Sequence, residues 1–109
     1  MAASRIEVFK QMLATDPGNT SILFGLAKEY EKSGADAEMI ATLQNYLEQS
    51  DDEGNAYGML ARAYERLGKR DEARASYQRG ITAAESHQHP GMVEEYRAIL
   101  REDYEATQA

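Results

Sequence analysis

The chain has 109 residues and a formal net charge of −7, from 12 Lys and Arg against 19 Asp and Glu. This length suits one domain with a modest core, and the acidic balance disfavours a general affinity for nucleic acid. With no cysteine, disulfides and thiol-ligated metal are excluded. The sequence contains neither a membrane-spanning apolar run nor a secretory signal, so we expect a cytoplasmic protein.

Apolar spacing predicts six helices in chain order, and no segment alternates as a half-buried strand does. The predicted helices cover residues 4–14, 20–33, 36–49, 54–67, 71–86 and 91–105. Gly34 and Gly68 are expected to end the second and fourth helices in a left-handed conformation. Asp36 and Asp71 are expected to cap the helices that follow, because their carboxylates can accept from free backbone N–H groups. The sequence therefore predicts an all-α protein.

Two adjacent blocks of 34 residues, 20–53 and 54–87, align with each other without a gap. Eight positions are identical in the two blocks: Leu26/Leu60, Ala27/Ala61, Tyr30/Tyr64, Glu31/Glu65, Gly34/Gly68, Glu38/Glu72, Ala41/Ala75 and Gln44/Gln78. A period of this length is typical of stacked helical repeats, in which each unit leaves one face for its neighbour to bury.

The pattern of the two blocks resembles that of the tetratricopeptide repeat, aromatic-x2-Leu-small-x2-Tyr followed by Ala-x3-aromatic. Its first half reads Leu23-x2-Leu26-Ala27-x2-Tyr30 and Tyr57-x2-Leu60-Ala61-x2-Tyr64, and its second half reads Met39-x3-Leu43 and Ala73-x3-Tyr77. The proline that ends the family pattern is replaced by Asp51 and Glu85. The resemblance implies one domain over residues 1–109, a right-handed superhelical stack of antiparallel helix pairs.

The segments on either side of the two blocks are expected to complete this stack. Residues 4–17 resemble the second helix of a truncated repeat and end in the family's proline, Pro17. Residues 91–105 leave the 34-residue period. A shift of two places Val93, Tyr96 and Leu100 in the core positions, which predicts a capping helix over the open apolar end.

The resemblance also implies a binding surface on the concave face, which the first helix of each repeat lines. The candidate residues of this peptide-binding groove are Phe24, Lys28, Lys32, Asn55, Arg62, Arg66 and Arg101. The four cations of the two blocks recur at equivalent positions and predict a positive stripe that suits a carboxylate-rich or C-terminal peptide. Gly58 is expected on the same exposed face. The alternative is a solvated face paired with Glu29, Glu31 and Glu65, which would stabilise little.

Other candidate sites are weaker. The Lys/Asn/Asn/Lys/Arg set with which some family members hold chaperone tails does not map, because Phe24 replaces the first lysine and Lys28 the first asparagine. His87 and His89 could bind a metal only with a third ligand that the sequence does not offer. The acidic run 50–54 lacks the spacing of a calcium loop and is better explained by helix N-capping through an aspartate. No residue spacing indicates catalysis.

We therefore expect a non-catalytic module without metal or cofactor that binds a protein or peptide segment, an acidic one included, and neither nucleic acid nor membrane. The alternative is a structural, self-associating protein that forms a homodimer through a terminal helix. It is suggested by the apolar residues of the first helix, Ile6, Val8, Phe9, Met12 and Leu13.

Overall fold

The computed structural model describes residues 4–105, which form six α-helices and a final π-helical turn, with no strand among them. The helices are α1 (Arg5–Thr15), α2 (Thr20–Ser33), α3 (Asp36–Gln49), α4 (Asn55–Arg66), α5 (Arg70–Ser86), α6 (Pro90–Ile99) and the π-helix (Leu100–Glu105). The predicted all-α helical-repeat class is confirmed, and every predicted helix begins within one residue of the observed one. No helix in this part of the chain has the length and apolar character to span a membrane.

The described residues divide into two compact units, one ending at Asp51 and the other beginning at Asp52. In the first unit, α2 packs against both α1 and α3. Its core consists of Leu23, Leu26, Ala27 and Tyr30 from α2 with Met39, Ile40 and Leu43 from α3. By contrast, none of the residues of α1 is buried, and Val8 and Met12 are each 43% exposed.

The second unit is built on α5, which packs against α4, α6 and the π-helix. One buried cluster joins these elements: Ala61, Ala73, Tyr77, Tyr96, Leu100 and Tyr104. The predicted core positions of the last segment, Val93, Tyr96 and Leu100, are all buried. Tyr64 lies at the edge of this cluster and is only partly buried.

The turns between paired helices confirm the glycine prediction and correct the capping prediction. Gly34 and Gly68 adopt left-handed φ angles of 74° and 73°. The N-caps of α3 and α5 are Ala35 and Lys69 and not aspartates, and neither makes a side-chain capping bond. The left-handed glycine reverses the chain so abruptly that the next helix starts within two residues. Asp36 therefore lies in the first turn of α3, where its negative charge still stabilises the helix through its interaction with the helix dipole.

Asp71 is corrected in the same way, since it also lies in a first turn, that of α5. An aspartate does serve the start of α4. The Asp52 carboxylate accepts from the backbone N–H groups of Gly54 and Ala56, both at 2.9 Å. This is the role that the sequence suggested for the acidic run.

The predicted single helix over 91–105 is wrong in its last turn, because the α-helix becomes a π-helix at Leu100. Tyr96, Leu100 and Tyr104 are spaced four residues apart, and in an α-helix of 3.6 residues per turn such a row drifts around the axis. A π turn takes more residues. It therefore brings Tyr104 back into line with Tyr96, and Tyr104 is only 1% exposed.

Candidate functional site

In the first unit, the predicted groove cation Lys28 lies over an aromatic ring. Its Nζ lies 5.7 Å from the centroid of the Phe24 ring, and that ring contacts Tyr46 of α3 at a centroid separation of 5.2 Å. No carboxylate among residues 4–105 pairs with Lys28, which is exposed on α2. An aromatic pair thus supports a cation whose charge is available to a ligand.

Lys32, one turn further along α2, is differently placed. Its Nζ lies 3.3 Å from Glu29 Oε2, and Arg5 Nε of α1 lies 3.2 Å from the same oxygen. The Glu29 side chain is only 12% exposed, so it meets both cations at its accessible edge. For Lys32 the structure therefore favours the alternative interpretation, a charge already offset by a neighbouring carboxylate.

In the second unit, Arg62 holds the position equivalent to Lys28 and is half-buried on α4. Like Lys28, it has no carboxylate partner within the described chain. Burial raises the pKa of Tyr96, and the positive charge of Arg62 partly opposes that rise. The guanidinium therefore lies within electrostatic reach of a buried phenol. Arg66 is exposed on the same helix, and Asn55 directs its amide towards the Met59 sulfur at 3.9 Å.

Gly58 does not lie on an open face, contrary to the prediction. It is buried beneath Tyr96, whose hydroxyl donates a 2.9 Å hydrogen bond to the carbonyl of Gly54. The same ring also lies against Gly80 of α5. The two glycines let the ring approach both backbones, so this part of α4 belongs to the core.

A buried tyrosine pair around Glu65 is the feature that the sequence did not reveal. The Glu65 carboxylate accepts hydrogen bonds from Tyr104 at 2.8 Å and from Tyr77 at 3.3 Å. Burial, followed by the contact with Glu65, raises the pKa of Tyr104 to about 12. Arg70 stacks 4.2 Å from the Tyr104 ring centroid and donates to the carbonyl of Asp103. Glu65 is thus occupied in holding the C-terminal turn and is not a free groove carboxylate.

The two histidines make separate contacts. His87 Nδ1 lies 2.9 Å from the Ala83 carbonyl, and His89 Nε2 lies 2.6 Å from Glu53 Oε1. Among the residues that the structure describes, no group of three His, Cys, Asp or Glu side chains could hold a metal ion.

Comparison with known proteins identifies the repeat. The family model of the tetratricopeptide repeat matches residues 54–87, which are the second of the two aligned blocks. The chain therefore contains a tetratricopeptide repeat. The family consists in general of non-catalytic protein–protein interaction modules.

One solved structure shares the fold of this protein over most of both chains. It is the solution structure of protein BPP2914 from Bordetella parapertussis, with a TM-score of 0.75 and 25% sequence identity. The alignment covers 92% of this chain and 87% of that one. Among curated proteins, none matches the sequence significantly.

The structure distributes the predicted binding residues of this protein over three elements. Phe24, Lys28 and Lys32 lie on α2, Asn55, Arg62 and Arg66 lie on α4, and Arg101 lies exposed on the π-helix. Within the first unit, Phe24 and Lys28 come together. Lys28 and Arg62 are alike in two respects. Each is a cation on the first helix of its block, and neither has a carboxylate partner in residues 4–105.

Proposed function

We propose that this chain is a non-catalytic module that binds an acidic protein or peptide segment through the first helices of its repeats. The observation that carries the proposal is the pair of equivalent cations, Lys28 on α2 and Arg62 on α4. Lys28 lies over the Phe24 ring and Arg62 lies within electrostatic reach of the Tyr96 phenol, and neither cation is neutralised by a carboxylate within residues 4–105. A cation held in this way keeps its charge for an incoming carboxylate.

The chemistry of the two positions also differs in a useful way. Lys28 is exposed and offers a point charge that an acidic side chain can approach from many directions. Arg62 is half-buried, and its guanidinium can hold a carboxylate through two parallel hydrogen bonds. A charged hydrogen bond to such a group stabilises a complex by about 1.5–3 kcal/mol, whereas a fully exposed pair gives less than about 1 kcal/mol.

The experiment is a pull-down from native lysate, followed by quantitative binding of the captured partner to charge-reversed variants. Arg62→Glu and the double variant Arg62→Glu/Arg66→Glu should abolish binding, and Lys28→Glu should weaken it. Lys69→Glu, in the exposed turn before α5, is the matched control for net charge and should bind as the wild type does. Raised salt should weaken the wild-type complex.

Two results would contradict the proposal. If Arg62→Glu retains the wild-type affinity while its circular dichroism spectrum stays helical, the partner uses another face. If Lys69→Glu weakens binding as much as Arg62→Glu, only the overall charge of the chain matters.

Self-association through α1 is a second candidate, and a specific observation favours it. None of the residues of α1 is buried, although Val8 and Met12 place large apolar side chains on its surface. Light scattering during size-exclusion chromatography would detect a homodimer, and Val8→Glu/Met12→Glu should dissociate it. A wild-type monomer at high micromolar concentration would exclude this candidate.

The repeat organisation belongs to the same proposal. Residues 4–17 act as the second half of an incomplete repeat, which is supported by the packing of α1 on α2. Residues 91–105 act as a cap on the repeat 54–87, which is supported by the burial of Tyr96, Leu100 and Tyr104 against α5.

A further inference from the structure

An open cavity of about 340 Å³ lies beside the turn that joins α5 to α6. Its apolar surface comes from Ala84, Val93 and Pro90, of which the first two are buried in the core. Glu85, Gln88, His89, Glu94 and Arg97 complete the lining. The volume is that of a small ligand site, and an apolar floor with a few polar groups is the usual composition of one.

The charges around this cavity do not cancel. Arg97 donates from Nη2 to Glu85 Oε2 at 2.9 Å, which joins α6 to α5 and offsets both charges. His89 is held by Glu53 at 2.6 Å. Glu94 has neither an ion pair nor a hydrogen bond within the described chain. The cavity therefore keeps one uncompensated carboxylate beside its apolar floor.

The backbone at the turn is unusual in a way that concerns the cavity. Gln88 has a φ of 62°, the only positive φ of a non-glycine residue in the part of the chain that the structure describes. The corresponding turns after α2 and α4 use Gly34 and Gly68. A side chain disfavours this conformation, and such strain is often retained where the side chain contributes to binding. Here Gln88 lines the cavity, and its side-chain amide can both donate and accept a hydrogen bond.

We propose that this cavity binds a lysine or arginine side chain of a partner protein. The aliphatic part of the side chain lies on Ala84, Pro90 and Val93, and its charged end pairs with Glu94. Long basic side chains bind in this manner because they bury their methylene groups and keep the charge near solvent. The net charge of −7 favours the approach of a basic partner.

This surface is distinct from the one under Proposed function, because it lies on α5 and α6 and carries the opposite charge. The two proposals can fail independently. A partner that engages both surfaces would have to present acidic and basic residues on different segments.

Titration of isotope-labelled protein with a short probe peptide, followed by amide chemical shifts, tests the proposal. The probes are three capped tripeptides, Ala-Lys-Ala, Ala-norleucine-Ala and Ala-Glu-Ala, at millimolar concentration and low salt. The lysine peptide should give saturable shifts at Gln88, Val93 and Glu94 and bind more tightly than the norleucine peptide. The glutamate peptide should give none there.

Variants locate the charged contact. Glu94→Gln should weaken binding of the lysine peptide by about two- to five-fold, the range measured for exposed ion pairs, and bring it to the level of the norleucine peptide. Glu95→Gln is the matched control, because it removes the same charge from the adjacent residue, which does not line the cavity. It should leave the affinity unchanged.

Three outcomes would overturn the proposal. The first is the absence of saturable shifts at the cavity residues. The second is equal affinity of the lysine and norleucine peptides, which would make the site purely apolar. The third is an equal effect of Glu94→Gln and Glu95→Gln, which would show that overall charge alone attracts the peptide.

Discussion

Replacement of Gly58 by alanine tests how closely Tyr96 lies on α4. A Cβ at this position would meet the Tyr96 hydroxyl first, then ring atoms Cζ at 3.0 Å and Cε1 at 3.1 Å. The ring cannot move away easily. Its hydroxyl is bonded to Gly54, its centroid lies 5.6 Å from that of Tyr77, and its far edge lies against Gly80.

The expected cost follows from these contacts. Overpacking a well-filled core destabilises by about 1–3 kcal/mol, and loss of the hydroxyl hydrogen bond adds about 0.5–1.5 kcal/mol. Part of this cost is offset, because alanine in a helix interior is more stabilising than glycine by about 0.5–1 kcal/mol. Gly58→Ala should therefore lower the free energy of unfolding by about 1–3 kcal/mol, or the melting temperature by roughly 5–20 °C.

Urea and thermal unfolding, followed by circular dichroism, would measure the effect. Gly91→Ala is the control, because its new Cβ would meet no heavy atom of the described chain within 4 Å beyond its chain neighbours and the adjoining backbone of its own helix. It should stabilise by up to about 1 kcal/mol. In the double variant Gly58→Ala/Tyr96→Phe the clashing oxygen is gone, so its cost should fall below the sum of the single costs. A Gly58→Ala variant as stable as Gly91→Ala would refute the placement of Tyr96.

Three further predictions concern stability. Ala61→Leu should destabilise the fold by about 1–3 kcal/mol, because Ala61 is fully buried in the same cluster as Tyr77. Ala83→Leu, at a half-buried site, should destabilise it much less. Equal urea midpoints for the two variants would contradict this prediction. Gln88→Gly should stabilise by about 0.5–1 kcal/mol, because glycine adopts the left-handed conformation without strain, and an unchanged midpoint would show that no strain is present. The raised pKa of Tyr104, about 12 against about 10 when unfolded, means that the unfolded chain loses this proton first. Stability should therefore fall as the pH rises from about 10 to 12. Tyr104→Phe should make that fall smaller in urea midpoints measured at each pH, and the part that remains comes from Tyr77 and Tyr96, whose pKa values burial also raises.

The helices could be predicted from the sequence because local signals determine them. Apolar residues at helical spacing, and the left-handed glycines at positions 34 and 68, determine where a helix forms and ends through contacts within one or two helical turns. The capping residues could not be predicted as reliably. The aspartates at 36 and 71 are good N-caps by type, but the tight glycine turns place the N-cap of each helix one or two residues ahead of them.

The site residues depend on contacts that no local pattern contains. Glu65 meets Tyr77 and Tyr104, which lie 12 and 39 residues away in sequence. Burial of Gly58 depends on Tyr96, 38 positions later. A signal for the last helix was present, since Tyr96, Leu100 and Tyr104 repeat every four residues. The four-residue spacing places all three side chains in the core only if the last turn is a π-helix. Spacing alone does not distinguish a π-helical turn from an α-helical one.

The π-helix has a consequence for changes in chain length. Tyr104 lies eight residues after Tyr96, whereas the same face of an α-helix recurs after seven. The last turn thus accommodates one residue more than an α-helix would need to place the same two rings in a row. Removal of exposed Glu102 would allow an ordinary α-helix to form without carrying the Tyr104 ring away from Glu65. A one-codon deletion should therefore be tolerated here, although the same deletion within α4 would rotate every later core residue of that helix out of register.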